Sequence, residues 1–248
     1  MKLTLRDSLA TPDRKRELNR EMFGEIAAEY DRVNRPLSLW RDAAWKRELI
    51  AALPPLSRPR CLDIACGTGD LCELLAAKYP DAGIIGVDLT EPMLNAARAR
   101  GLGERITLQI GDMTKLDFPD GSFDLVTGGY ALRNAPDLHR ALSEIRRVLK
   151  PGGTAAFLDF SKPPSRIFQT LELFVLRFWG GLFGLVLHGN PEVYSYIAAS
   201  LGQYPDRPAL HRMLDEHGFE AVESRTFFFG VIERVAVRKV GRGVPAEP

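Results

Sequence analysis

Cys61-Leu-Asp-Ile-Ala-Cys-Gly-Thr-Gly-Asp70 is the stretch on which the fold turns. A short apolar run, Cys61 to Ala65, meets a Gly-Thr-Gly turn, and the apolar spacing of Leu71 to Tyr79 beyond it is helical. A buried strand, a glycine turn and a helix start open many nucleotide-type binding sites. Gly67 and Gly69 carry no Cβ, so a ligand can come close to the backbone and either residue can take positive φ. The first N–H groups of the helix then face whatever lies over the turn.

A dinucleotide fingerprint would place Gly or Ala at position 72, where this chain has Cys. Two carboxylates, Asp63 and Asp70, flank the turn; they repel a pyrophosphate and suit a positively charged ligand. S-adenosylmethionine, with its sulfonium and ammonium groups, is therefore the expected ligand. Asp88 closes Ile84-Ile-Gly-Val-Asp88, roughly 20 residues beyond the glycines, where an acid accepts ribose hydroxyls. Gly111-Asp112-Met113 follows a further apolar run; Asp112 can accept from the adenine amino group and Met113 can contact the ring.

Working outward, strands are expected at 61–65, 84–88, 106–110, 123–128 and 154–160, with helices at 70–79, 91–100 and 138–149. This alternation predicts a Rossmann-like α/β fold, a mostly parallel seven-stranded sheet with helices on both faces. Ligands on such sheets bind at the carboxyl ends of the strands, where Asp63 to Gly69, Asp88, Asp112 and Gly128 to Asn134 fall. Residues 7–30 read as one helix, and a second runs from Trp40 to Ala52. Residues 1–55 are expected to form a helical lid, and 56–240 the α/β core with an apolar cap segment at 162–206. In that cap a helix opens at Pro163-Pro164 and runs through Trp179, ahead of glycine-rich sequence. A helix over 208–217 and a closing antiparallel pair follow, and 241–248 is expected to be disordered.

The bulk numbers exclude several classes. A net charge of +1 leaves no reason to expect a nucleic-acid partner. The cluster Arg14-Lys15-Arg16 with Arg20 reads as a solvated helix face. The three cysteines, Cys61, Cys66 and Cys72, are too close in sequence for a disulfide framework and lack zinc-site spacing, so no metal is expected. A reducing cytoplasm fits them. Residues 1–20 are polar and charged, unlike a signal peptide. The most apolar tract, Leu171 to Leu187, is interrupted by Glu172 and Arg177 and is too short to span a bilayer.

From about Met22 to Arg238 the chain resembles class I S-adenosylmethionine-dependent methyltransferases, and more narrowly the ubiquinone/menaquinone biosynthesis C-methyltransferases. The resemblance is carried by Met22-Phe-Gly-Glu-Ile-Ala-Ala-Glu-Tyr-Asp31 with Asn34, the Gly-Thr-Gly turn, Leu132-Arg-Asn134, Arg147-Val-Leu-Lys-Pro-Gly-Gly153, Asp159-Phe-Ser-Lys-Pro163 and Tyr194-Ser-Tyr-Ile197. It implies that Thr68, Asp88, Asp112 and Met113 hold S-adenosylmethionine, with Gly129 lining the site and Asp63, Gly67, Gly69 and Leu89 completing it. Gly129, Met113 and Asp159 stand where the family often has Ser, Ala and Glu. The implied reaction is methylation of a ring carbon of a prenylated quinol, a naphthoquinol or a benzoquinol. In it Arg133 would stabilise a developing phenolate, Asn134 orient the ring, Tyr30 bond the other oxygen, and Asp159 or His188 receive the proton. A greasy substrate implies peripheral contact with the inner face of a membrane, and the chain is left room to form a homodimer. Other acceptors stay open at this point: a phospholipid amine or a small natural product. A dinucleotide-dependent oxidoreductase and a non-catalytic S-adenosylmethionine-binding protein are the remaining rivals.

Overall fold

The computed structural model describes residues 5–30, 32, 36, 38–163, 165–188 and 192–241, and only the backbone of 5–6, 179–188 and 192–195. The sheet is built outward from β1 (Arg60–Ile64), whose Cys61, Leu62 and Ile64 are buried. β1 pairs in parallel with β2 (Gly83–Asp88) on one side and β4 (Phe123–Gly129) on the other. β3 (Ile106–Ile110), β5 (Leu149–Phe160), β6 (Phe219–Phe227) and β7 (Ile232–Lys239) complete the order β3-β2-β1-β4-β5-β7-β6. Only β7 runs against the others, so this is the doubly wound, seven-stranded sheet that the strand–helix alternation predicts.

The first four strands lie within a residue of expectation, but β5 begins five residues early. Leu149 already pairs with Phe123, and the register shifts before Leu125 meets Thr154. Lys150-Pro-Gly-Gly153 therefore steps the chain from helix directly into strand.

The helices between strands are α4 (Asp70–Lys78), α5 (Glu91–Ala99) and α6 (Leu138–Val148). Asp137 caps α6 by accepting the Arg140 N–H, and Ala141, Leu142, Ile145 and Val148 form its buried face.

Ahead of β1 stand α1 (Leu5–Ser8), α2 (Pro12–Ile26) and α3 (Asp42–Ala51). The single helix expected over 7–30 is broken. Thr11 accepts the Arg14 N–H and Pro12 occupies the first helical turn, so the chain restarts there. α3 begins two residues after Trp40, which has φ +59° and is 70% exposed. Trp45 is buried, packing with Leu49 and Ile50 among Cys61, Leu71 and Leu125.

Between β5 and β6 come α7 (Arg166–His188), α8 (Glu192–Gln203) and α9 (Arg207–Glu216). α7 does not stop at Trp179. Each glycine lowers helix propensity by about 1 kcal/mol, and a helix of 23 residues carries Gly180, Gly181 and Gly184 without breaking. Asp31 and Asn34, the side chain of His188 and residues 242–248 lie outside the described residues.

Candidate functional site

The carboxyl ends of β1 to β4 form one wall of a cleft and α2 with Tyr30 forms the other. Gly67, Asp88, Leu89, Asp112, Met113 and Gly129 line it, as do Tyr30 and Asn134. The residues of the glycine turn divide the work. Gly67 takes φ +53°, and a Cβ there would stand in open space with no atom within 4 Å. Its N–H donates to Asp88 Oδ2 at 2.8 Å. Gly69 takes φ +86° as the cap of α4, where a Cβ would collide with Leu102. Gly67 thus opens the cleft, while Gly69 starts the helix and does not line it. Thr68 is buried outside the cleft lining, and its carbonyl accepts from Arg100 at 2.9 Å.

Asp88 is buried at the end of β2. Its Oδ1 accepts the Thr90 N–H and Oγ1, each at 2.9 Å, while Oδ2 has the Gly67 N–H. Burial raises its pKa, and the hydrogen bonds from Gly67 and Thr90 work against that rise.

The flanking carboxylates do not face a cation in the cleft, contrary to expectation. Asp63 points between strands, accepting from Thr127 Oγ1 at 2.7 Å and from Cys72 Sγ at 3.5 Å. Burial pushes its pKa up to about 7, against the hydrogen bonds from Thr127 and Cys72. Asp70 pairs with Lys46 Nζ at 2.8 Å and with Arg100. At that pKa one carboxylate keeps only part of its charge at neutral pH, and the other is neutralised by its partners. Neither carboxylate lines the cleft, and each finds its partners inside the fold.

At the end of β3, Asp112 Oδ1 accepts from Thr114 N–H at 2.8 Å and Oγ1 at 2.7 Å. Oδ2 accepts from Arg16 Nε at 2.6 Å, across the cleft. Burial works to raise the Asp112 pKa, but Thr114 and Arg16 outweigh it and hold the carboxyl below its usual range. The basic cluster on α2 is therefore not wholly a solvated face. Lys15 Nζ also turns inward, donating to the Arg133 carbonyl at 2.8 Å; burial and then the Arg133 charge bring its pKa down to about 8.

The Leu132-Arg-Asn134 turn splits. Asn134 lines the cleft, its Nδ2 donating to the Tyr130 carbonyl at 2.7 Å. The Tyr196 hydroxyl donates to Asn19 Oδ1 at 2.6 Å and lies 3.1 Å from Asn134 Oδ1. Asn19 Nδ2 in turn donates to the Asn134 carbonyl at 2.7 Å, so α2 and α8 both lock onto this turn. Arg133 is 4% exposed and does not line the cleft. Its guanidinium lies 5.2 Å from the Phe160 ring centroid and 5.8 Å from that of Tyr196, and it donates to Ser200 Oγ. Asp159 faces Arg133 rather than the cleft, with its Oδ1 3.5 Å from Arg133 Nε. The two residues expected to meet a phenolate and its proton are thus turned onto each other.

Among the cleft residues and their supports, Asn19, Asp42 and Lys46 escape the sequence reading, Arg16 reads there as solvated, and Tyr130 and Tyr196 are given no role of their own. Inward spacing of Lys15, Arg16 and Asn19 on α2 was the available signal, but a polar inward face looks like a solvated one until its partners are known.

The geometry belongs to a chain with clear relatives. The model of the ubiE/COQ5 methyltransferase family matches residues 12–238. A protein of Geobacillus kaustophilus named demethylmenaquinone methyltransferase is 39% identical over 222 residues, covering 88% of this chain and 94% of its own. One of Desulfotalea psychrophila named ubiquinone/menaquinone biosynthesis C-methyltransferase UbiE is 34% identical over 212 residues, 86% of each chain. Among solved structures, an S-adenosylmethionine-dependent methyltransferase of Mesorhizobium loti shares the fold with a TM-score of 0.58 at 21% identity, covering 79% of this chain and 97% of its own. The sheet order, the cleft at the strand ends and a family match over most of its length agree: the chain belongs to the ubiE/COQ5 methyltransferase family.

Proposed function

We propose that this chain transfers the methyl group of S-adenosylmethionine to a ring carbon of a prenylated demethyl-naphthoquinol, a step of respiratory quinone biosynthesis. One observation carries the reading: a single cleft is lined both by Gly67 and Asp88 and by Tyr30 and Asn134. The chain also belongs to a methyltransferase family with relatives named for this reaction.

The residues present fit S-adenosylmethionine. Asp88 Oδ2 accepts the Gly67 N–H, and a carboxylate oxygen can accept a ribose hydroxyl beside it. The open side of Gly67 admits close approach. Leu89 and Met113 supply apolar contact, and Asp112 supplies an acceptor for an amino group. When bound, S-adenosylmethionine supplies an electrophilic methyl group on a sulfonium.

The protein's own contribution is alignment and exclusion of water. Asn134, with its amide fixed by the Tyr130 carbonyl and the Tyr196 hydroxyl, orients the quinol ring. Tyr30 serves the opposite hydroxyl. Arg133 acts at one remove: paired with Asp159 and stacked on Phe160, it holds the turn that presents Asn134.

A prenylated substrate resides in a bilayer, and α7 offers a contact for one. Ile167, Phe168, Leu171, Phe174 and Val175 are exposed on one side of it, with exposed Arg166 and Arg177 beside them. Among the described residues no helix is long and apolar enough to cross a membrane. This face therefore lies on the bilayer surface, with its arginines toward anionic headgroups.

The test is an assay with methyl-labelled donor, demethyl-naphthoquinol and an ethanolamine phospholipid. Label on the naphthoquinol ring carbon is expected. No transfer, or label on the lipid amine alone, overturns the reading.

A further inference from the structure

Tyr130 follows β4 with φ +57°, a conformation that costs an aromatic residue strain and that proteins retain mostly where a site needs it. Its N–H donates to the Leu158 carbonyl at 2.6 Å, and its carbonyl accepts from Asn134, so the backbone is pinned on both sides. The residue lines the cleft beside Gly129. Its hydroxyl donates to Asp42 Oδ1 at 2.7 Å. Asp42, buried at the start of α3, receives Lys46 Nζ on Oδ2 at 2.7 Å, and the same ammonium reaches Asp70 at 2.8 Å. Tyr30 and Asp159 lie close enough to act on Tyr130 electrostatically, and Tyr30 also acts on Lys46.

We propose that Tyr130 is a catalytic residue of the methyl transfer: its Oη takes the proton of a quinol hydroxyl while its own proton passes to Asp42 Oδ1. This rests on the quinol reading above. With its hydrogen committed to Asp42, the Tyr130 hydroxyl keeps an oxygen lone pair, and a substrate O–H in the cleft that Tyr130 lines is its natural partner. Burial and then Asp42 raise the pKa of Tyr130 well above its usual value, which keeps it a neutral conduit rather than a standing phenolate. Asp42 can accept a proton without stranding Lys46, because Asp70 still holds that ammonium.

The step balances. The quinol O–H bond breaks, a new O–H forms on Tyr130, and the former Tyr130 proton forms an O–H on Asp42. The freed electron pair moves through the ring to form the carbon–methyl bond as the methyl–sulfur bond breaks, its pair staying on sulfur. Water then takes the C–H proton of the methylated carbon. That electron pair restores the aromatic ring and the charge on oxygen, and the relay runs backwards to re-form the hydroxyl. One proton is released per methyl transferred.

Tyr130→Phe and Asp42→Asn test this, assayed on the full chain with S-adenosylmethionine and demethyl-naphthoquinol across pH 6 to 9. Both should lower kcat at neutral pH by about 100-fold with an unchanged KM for S-adenosylmethionine. Their residual rate should climb about tenfold per pH unit toward the quinol's own pKa, about 10, where the wild type varies little. Unchanged kcat in either variant, or a loss with the wild-type pH profile, overturns the relay while leaving the quinol reading intact. Absence of quinol turnover by the wild type overturns both. If Tyr130→Phe does not fold, the pH profile of Asp42→Asn alone decides.

Discussion

Arg133, in the turn after β4, is joined twice to Asp159 near the end of β5. Arg133 Nε lies 3.5 Å from Asp159 Oδ1, and the Arg133 backbone N–H donates to Asp159 Oδ2 at 2.9 Å. The side chains come from the ends of adjacent strands, β4 and β5, and both are buried. Lys15 of α2 closes on this arginine's backbone carbonyl and Ser200 of α8 on its guanidinium, so one residue ties both helices to the turn that carries Asn134.

Arg133→Ala should therefore act first on stability. Removing one partner of a buried pair strands the other charge and costs about 3–5 kcal/mol, a fall in Tm of roughly 10 °C for a chain of this size. Urea and thermal unfolding check it. A Tm within 2 °C of the wild type would show that the pair is not what holds this turn.

Asp88→Ala removes the acceptor of the Gly67 N–H together with the oxygen offered to a ribose. Hydrogen bonds to a charged group contribute about 1.5–3 kcal/mol each. S-adenosylmethionine should bind roughly 10- to 100-fold more weakly by calorimetry, with the far-ultraviolet spectrum unchanged. Equal affinity would remove Asp88 from the site.

The buried Asp63 carries a pH signature. Its folded pKa, about 7, lies above the unfolded value near 4, so between those limits the folded chain holds a proton that the unfolded chain has lost. Raising pH through that window favours unfolding, and the contribution levels off above about 7. Asp63→Asn can keep the Thr127 bond and has no proton to lose. The variant should thus gain stability over the wild type from pH 4 to 7, by on the order of 4 kcal/mol. Denaturant titrations at pH 4.5, 6 and 7.5 measure the gap; a gap that does not widen with pH disproves the assignment.

The α7 face makes a separate prediction. Phe168→Asp with Phe174→Asp should abolish co-sedimentation with vesicles containing an anionic phospholipid while S-adenosylmethionine binding persists. These side chains are exposed, so their loss leaves the core intact. Wild-type protein that stays in the supernatant at low salt would rule out the membrane contact.

Much of this protein was legible in sequence because it is local. The apolar run before Gly67, the glycine turn, the helix behind it and Asp88 closing the next strand follow from residue type and spacing, and they predict the sheet and a site at its strand ends. Thr11-Pro12 equally marks a helix start in plain view. What only the tertiary structure decided is where each charge ends up. Asp63, Asp70, Arg133 and Asp159 all sit in the expected stretches. Yet a carboxylate beside a turn cannot reveal that Lys46 or Arg100, 24 and 30 residues away, will neutralise it, nor can Arg16 on a polar helix reveal Asp112 across the cleft, 96 residues on. Strand and helix depend on periodicities of a few residues, whereas ion pairing depends on which distant side chains the packed sheet brings within about 4 Å.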